Sequence, residues 1–278
     1  MIDFSVKLYT DNLNEIEKPD IIIGSSVHLF AALAGERLAA RYKVPFILEI
    51  RDLWPQTLID LGKISKYHPF IFLLERVERY LYRKAYRIIS LLPCAVEHMV
   101  EKGANRNKVV WIPNGVDLSI LEQPAKPKRN QRFTLMYAGA HGLANDLDTI
   151  INTASLVHKE GLESQILFRF IGDGPEKARL MERVEKEGIP SVMFENPVPR
   201  NQIYKKMQEA DAFILTLKNA SVFKWGVSPN KLFDYLASGR PVIFSVNSPY
   251  NPIEMAKAGF TVAPENPQSL LKAIKGLM

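Results

Sequence analysis

The sequence predicts an α/β protein of two consecutive domains, each with a parallel sheet. Two observations carry this prediction. Short apolar runs end in glycine or polar turns and are followed by helical patterns, which is how strands buried on both faces read when helices connect them. The alternation breaks once, at Gln123-Pro124-Ala125-Lys126-Pro127-Lys128-Arg129-Asn130-Gln131, where prolines and cations follow no period and read as an exposed linker. A chain of 278 residues is long enough to bury two cores. We therefore expect a first domain over 1–117, a linker over 118–131 and a second domain over 132–278.

In the first domain, Pro19-Asp20-Ile21-Ile22-Ile23-Gly24 reads as a buried strand, and the alanine- and leucine-rich stretch 29–42 as a helix. Residues 45–50 repeat the strand pattern. Arg51-Asp52-Leu53-Trp54-Pro55 follows at the carboxyl end, where open α/β sheets place ligand-contacting loops, so Arg51 and Asp52 are candidate catalytic residues. Residues 67–86 form a helix opened by Pro69, rich in both aromatics and cations. Such a helix could touch an anionic membrane surface, but it reads first as a solvated amphipathic face with charge pairs one turn apart. A strand over 87–92, a helix over 93–102 and a strand over 108–112 complete the domain.

The second domain restarts with a strand at 133–138, the turn Gly139-Ala140-His141-Gly142 and a helix over 146–159. A strand over 166–171 ends at Gly172-Asp173-Gly174-Pro175, and a helix over 176–187 follows. A strand at 191–195, a helix at 200–209 and a strand at 212–217 come next. Ser228-Pro229 is expected to cap a helix that Gly239 stops, with Leu232, Phe233 and Leu236 facing inward and Lys231 and Asp234 near the opening turn. A strand through 243, a strand at 260–263 and a helix at 267–277 close the pattern.

Hydrophobic content of 47% with 24% charged residues is that of a soluble globular chain, and the net charge of +6 favours anionic partners without naming one. The single cysteine, Cys94, rules out an internal disulfide framework and fits a reducing, cytoplasmic location, with the 67–86 helix offering contact to the inner face of the membrane. Residues 1–14 lack the apolar core of a signal peptide. The sequence holds no Gly-x-Gly-x-x-Gly after a strand, no Walker loop, no Ser-His-Asp order and no His/Cys metal spacing, which counts against dehydrogenase, P-loop kinase, hydrolase and zinc-site readings. We expect no metal, no cofactor and no nucleic-acid partner. His28, His68, His98 and His158 read as structural or surface residues, while His141 lies in a glycine turn and is a site candidate.

Two glycine turns and the helix start at Ser228 all fall at strand carboxyl ends, and each offers backbone amides to a phosphate. Taken singly, each is also an ordinary strand-to-helix turn. Together they make Gly139, His141, Gly142, Asp173, Gly174, Ser228, Asn230, Lys231 and Asp234 candidate donor-binding residues for a sugar nucleotide.

Ile112-Pro113-Asn114-Gly115-Val116-Asp117, Tyr137-Ala138-Gly139, Ile171-Gly172-Asp173-Gly174-Pro175 and Lys231-Leu232-Phe233-Asp234-Tyr235-Leu236-Ala237-Ser238-Gly239-Arg240-Pro241-Val242-Ile243 resemble, in this order, the group 1 retaining glycosyltransferases. Pro19-Asp20, Ser25-Ser26, His28-Leu29-Phe30 and Arg51-Asp52-Leu53-Trp54-Pro55 resemble the branch that includes N-acetyl-L-fucosamine transferases of surface-polysaccharide assembly. The resemblance implies two Rossmann-like domains of GT-B type, the first incomplete. It also implies a nucleoside-diphosphate sugar donor on the C-terminal domain and a saccharide or lipid-linked acceptor on the N-terminal one. Asp234 then holds the place of the family's ribose-binding glutamate, and Asn230, Lys231, Gly139 and Gly142 face the diphosphate, with Lys218 adding charge. Cations and helix dipoles replace a metal at the leaving group.

This chain departs from the family pattern in several places. Gly226 stands where the first of the paired glutamates is expected, Asp234 is shorter than the second, and Arg51 replaces a frequent histidine. Ala140 and Asn145 stand near the places of an arginine and a lysine. Nothing matches the family's opening strand and acceptor loop, or the last helix that crosses back, so we expect a fragment, a truncated reading frame or a shortened form. Two alternatives to a transferase stay open: a nucleotide-sugar-binding remnant without turnover, and a sugar-nucleotide epimerase of the same fold.

Overall fold

The computed structural model describes residues 17–26, 28–62, 64–120 and 131–278. The expected leader-free stretch 1–14 and most of the expected linker, residues 121–130, lie outside these. The chain divides into two compact units. The first runs to Asn114 and also takes in Ala220–Ser228 and Ser248–Tyr250; the second holds Gly115–Asn219, Pro229–Asn247 and Asn251–Met278.

The first unit contains β1 (Ile22–Ser25), α1 (Leu29–Tyr42), β2 (Phe46–Ile50), α2 (Gln56–Asp60), α3 (Pro69–Lys84), β3 (Arg87–Ser90), α4 (Val96–Glu101) and β4 (Val109–Trp111). Its strands pair in parallel in the order β1-β2-β3-β4. His28 and His68 are helix caps: their Nδ1 atoms accept from the N–H groups of Ala31 and Phe70 at 3.3 and 3.1 Å. Leu48, Ile50, Leu81, Tyr82, Ile88 and Met99 build the core, and Val222 joins it from far along the chain. Residues 220–228, expected in the second domain, thus belong to the first unit, because their apolar side chains complete this core.

The second unit contains β5 (Phe133–Ala138), α5 (Leu147–Lys159), β6 (Ile166–Ile171), α6 (Lys177–Glu187), β7 (Val192–Glu195), α7 (Arg200–Met207), β8 (Ala212–Thr216), α8 (Asn230–Ala237), β9 (Val242–Ser245), α9 (Pro252–Met255), β10 (Gly259–Thr261) and α10 (Pro267–Leu277). All its pairings are parallel, in the order β10-β9-β8-β5-β6-β7. The chain grows outward from β5 to β7, then returns to β5's other side with β8. Strand order reverses there, which is the topological switch point where open α/β sheets bind ligands outside the strand carboxyl ends. Leu135, Ile150, Phe168, Ile214, Ile243 and Ile274 pack the core between sheet and helices.

One expected cap is corrected. Ser228 does not cap α8; Pro229 takes that position with no side-chain hydrogen bond. The Ser228 hydroxyl instead accepts from the Asn114 N–H at 3.0 Å, within the first unit. The proline's fixed φ suffices to start the helix, which frees the serine for another partner.

Candidate functional site

A cavity of about 630 Å3 opens in the second unit at the carboxyl ends of β5 and β6, roofed by the first turns of α7 and α8. Of the candidate residues, Gly139, Asp173, Asn230, Lys231 and Asp234 line it. Sequence reasoning missed Arg200, which also lines it, and the apolar lip of Pro197 and Val198. That volume suits a ligand the size of a nucleotide sugar.

Lys231 is the cation at the cavity floor. Its Nζ donates to the Tyr137 hydroxyl at 2.5 Å and to Asn145 Oδ1 at 2.8 Å, and stands 4.3 Å from the Tyr137 ring centroid. Those partners are all neutral. Removal from water without a balancing anion lowers the Lys231 pKa to about 7. Lys231 thus carries a buried amine whose hydrogen-bond partners are neutral. Its aliphatic end lies against Gly139, where an added Cβ would meet Cε at 3.0 Å.

Asp234 follows Lys231 on the same helix face and keeps the geometry of an acceptor. Tyr204, on α7, donates its hydroxyl to Asp234 Oδ1 at 2.8 Å, leaving Oδ2 for other donors. Tyr204 was invisible to the sequence reading because the contact joins two helices thirty residues apart. Behind Asp234, Tyr235 is fully buried. Its hydroxyl accepts from the Ala138 N–H at 2.8 Å, and its ring stacks on Phe213 with centroids 4.3 Å apart. This ties α8 to the end of β5 and fixes the helix start over the cavity.

The two glycine turns lie against each other. Gly139 N–H donates to the Ile171 carbonyl at 2.9 Å and His141 N–H to the Asp173 carbonyl at 2.8 Å. A Cβ on Gly172 would sit 2.0 Å from the Gly139 oxygen, and one on Gly174 would sit 2.5 Å from the His141 oxygen, so both positions exclude side chains. The amides expected to hold phosphate are in part spent on this ladder, and Gly174 N–H is taken by its neighbour Asp173 Oδ1 at 2.8 Å. The groups at the cavity left to face an anion are Lys231 and the N–H groups of the first turn of α8.

Seven candidates do not line the cavity. The His141 imidazole is fully buried among Tyr137, Phe170 and Phe194, with ring centroids 6.0 to 6.3 Å away. Loss of water, helped by the charge of Lys177, lowers its pKa to about 4, so it is a neutral core group. Gly142 lines a separate small recess beside Asp146 and Asp148, and Gly174 sits behind the His141 backbone. Lys218 donates its backbone N–H to the Ala144 carbonyl at 3.1 Å, and Ser228 counts with the first unit. Arg51 and Asp52 are exposed at the carboxyl end of β2, in the first unit. Among the described residues no cluster of His, Cys, Asp and Glu is arranged to hold a metal ion.

The profile described as "Glycosyl transferases group 1" matches residues 132–278, the unit that holds this cavity, and the "Glycosyl transferase 4-like domain" matches residues 10–115. The chain belongs to the group 1 glycosyltransferases. Among named relatives, the putative colanic acid biosynthesis glycosyl transferase WcaI of Escherichia coli K12 is 23% identical over 243 residues, covering 83% of this chain and 58% of that protein. The probable glycosyltransferase WbjE of Pseudomonas aeruginosa is 20% identical over 248 residues, covering 86% and 60%. The chain thus spans about three fifths of the length of these relatives. Among solved structures, sucrose-phosphate synthase from Thermosynechococcus elongatus superposes with a TM-score of 0.75 at 13% identity, over 99% of this chain and 68% of that one. Anabaena Alr3699/HepE in complex with UDP and glucose gives 0.67 at 14% identity, over 92% and 67%. These likenesses show the fold, two Rossmann-like halves of GT-B type.

In this member of the family, the Gly226 departure has a structural cause. Gly226 has φ of 97°, and a Cβ there would meet Pro93 Cδ at 2.4 Å, inside the first unit. A glutamate does not fit at this position.

Proposed function

We propose that residues 132–278 bind the nucleoside-diphosphate sugar of a retaining glycosyltransferase, and that acceptor-side residues lie within 1–117. The acceptor is a saccharide or lipid-linked saccharide in surface-polysaccharide synthesis. The observation that carries this reading is the placement of Lys231 and Asp234 on one helix face, over a cavity at the carboxyl ends of the parallel strands β5 and β6. The HepE structures with UDP, with UDP and glucose and with UDP-glucose support a nucleotide-sugar donor for this fold, and the colanic acid relative supports polysaccharide synthesis.

In this reading Lys231 neutralises charge on the diphosphate as the anomeric C–O bond to phosphate breaks. The acceptor oxygen forms the new bond on the same face of the sugar and passes its proton to the departing phosphate oxygen. Lys231 and the α8 dipole take the part of a metal ion, so turnover needs none. Asp234, steadied by Tyr204, accepts from the ribose hydroxyls. Arg51 and Asp52 serve the acceptor hydroxyl. The single cysteine supports a cytoplasmic site of action, and no helix among the described residues is long and apolar enough to cross a membrane.

Donor turnover by the full chain tests this. With labelled UDP- or GDP-sugars, with and without added divalent cation and chelator, we expect transfer or slow donor hydrolysis that chelation leaves unchanged. Lys231→Met should abolish it, and Tyr204→Phe should lower affinity about threefold to tenfold by releasing Asp234. Binding without any turnover would favour a remnant that holds the donor only, a reading to which Gly226 lends weight.

A further inference from the structure

Helix α3 buries Ile71, Leu74, Glu78, Leu81 and Tyr82 against the first unit. Its outward side is of a different kind. Phe72 and Leu73 stand 51% and 48% exposed beside each other, followed along the same side by Arg76, Tyr80, Arg83 and Lys84. At 3.6 residues per turn these positions fall on one stripe. Lys66 and Tyr67, the latter 72% exposed, extend it ahead of the helix, and Tyr86 and Arg87 extend it behind.

The carboxylates of α3 do not neutralise the stripe. Glu78 is buried and accepts from the Tyr82 hydroxyl at 3.0 Å. Glu75 is half-buried and held by Lys102 at 2.9 Å, with Arg79 reaching it at 4.0 Å. Glu36, which accepts from the Tyr80 hydroxyl at 3.0 Å, is itself buried. Arg76, Arg83 and Lys84 therefore face solvent with no exposed acid on the same helix. A solvated helix normally mixes both signs of charge on its open face, and isolated exposed leucines need no explanation. An adjacent Phe-Leu pair leading a row of cations is another pattern. It offers apolar groups to enter the headgroup boundary and positive charge to meet headgroup phosphates. A helix of 16 residues, about 24 Å long, can lie flat on such a surface.

We infer that the outward face of α3 docks this chain on an anionic lipid bilayer, with Phe72 and Leu73 inserted and Arg76, Arg83 and Lys84 on the headgroups. Charge complementarity commits the surface to anionic lipid, and the apolar pair separates it from a purely electrostatic contact with an acidic polypeptide. Docking here would bring the first unit to a lipid-linked acceptor. The nucleotide site plays no part in the contact, so either can fail without the other.

Vesicle co-sedimentation of the full chain tests this, using phosphatidylglycerol/phosphatidylcholine mixtures against phosphatidylcholine alone, at low and high salt. We expect retention on the anionic vesicles, release by high salt and no retention on the neutral ones. Phe72→Ser with Leu73→Ser, and separately Arg76→Ser with Lys84→Ser, should each lower the partition coefficient about tenfold. All four positions are exposed, so the far-ultraviolet circular dichroism of both variants should match the parent, and the salt series on the parent chain reads the same contact without any substitution. No retention on anionic vesicles, equal retention on neutral ones, or undiminished retention in both double variants would overturn the inference. Capture by polyglutamate in place of vesicles would do so too.

Discussion

His141 lies where a glycine turn suggested a ligand contact, yet both of its ring nitrogens are buried with no hydrogen-bond partner among the described residues. Such a group is stable in the core only while neutral. Its folded pKa of about 4 lies below the ordinary histidine value of 6.5, so the unfolded chain takes up a proton at mildly acid pH that the folded chain refuses. Stability contributed by this position is whole above pH 6.5 and is lost as pH falls towards 4. Between about pH 7 and pH 5 the loss should be on the order of 2 kcal/mol, and His141→Phe should remove that part of the acid sensitivity. Urea unfolding of both chains at the two pH values checks it, and equal slopes with pH would contradict it. The position of His141 in a turn was legible in the sequence. Its orientation was not, because the rings that enclose it come from three different strands, β5, β6 and β7. Lys231 and Asp234 were legible as a pair because both sit within one turn of one helix.

At the scale of elements, the parallel strands were read to within three residues at their ends, since strands buried on both faces leave continuous apolar runs between turns. The short helices α2 and α9 were missed, being too brief to show a helical period. Segment 220–228 was assigned to the wrong unit for a different reason: Val222 belongs to a core built by residues more than a hundred positions earlier, which no local pattern records. Gly226 within it is held at φ of 97° against Pro93. Gly226→Glu, which would restore the family residue, should therefore destabilise the chain by about 2 kcal/mol or more through backbone strain and overpacking. A denaturant midpoint shifted well below that of the parent confirms this account of the departure, and an unchanged midpoint contradicts it.

For the whole molecule, two αβ halves with the proposed donor cavity in the second were legible because the alternation and its single interruption are properties of the entire chain. The share of the cations in different tasks was not. Lys231 serves the cavity, Arg76, Arg83 and Lys84 an exposed helix, and Arg169 and Arg183 are bound to carboxylates within the second unit. Only the first of these makes the central claim, that a nucleoside diphosphate binds over the start of α8. Because free Lys231 has a pKa of about 7, lowered by burial, and a bound diphosphate favours its charged form, binding above pH 7 should take up a proton. Isothermal titration of UDP- and GDP-sugars into the full chain, in buffers of different ionisation enthalpy, measures this directly. The account predicts binding at pH 7 with proton uptake, roughly tenfold weaker binding at about pH 8.5, and loss of both the affinity and the pH slope in Lys231→Met. Undetectable binding of every donor tested, or the same affinity and slope in Lys231→Met, would contradict it.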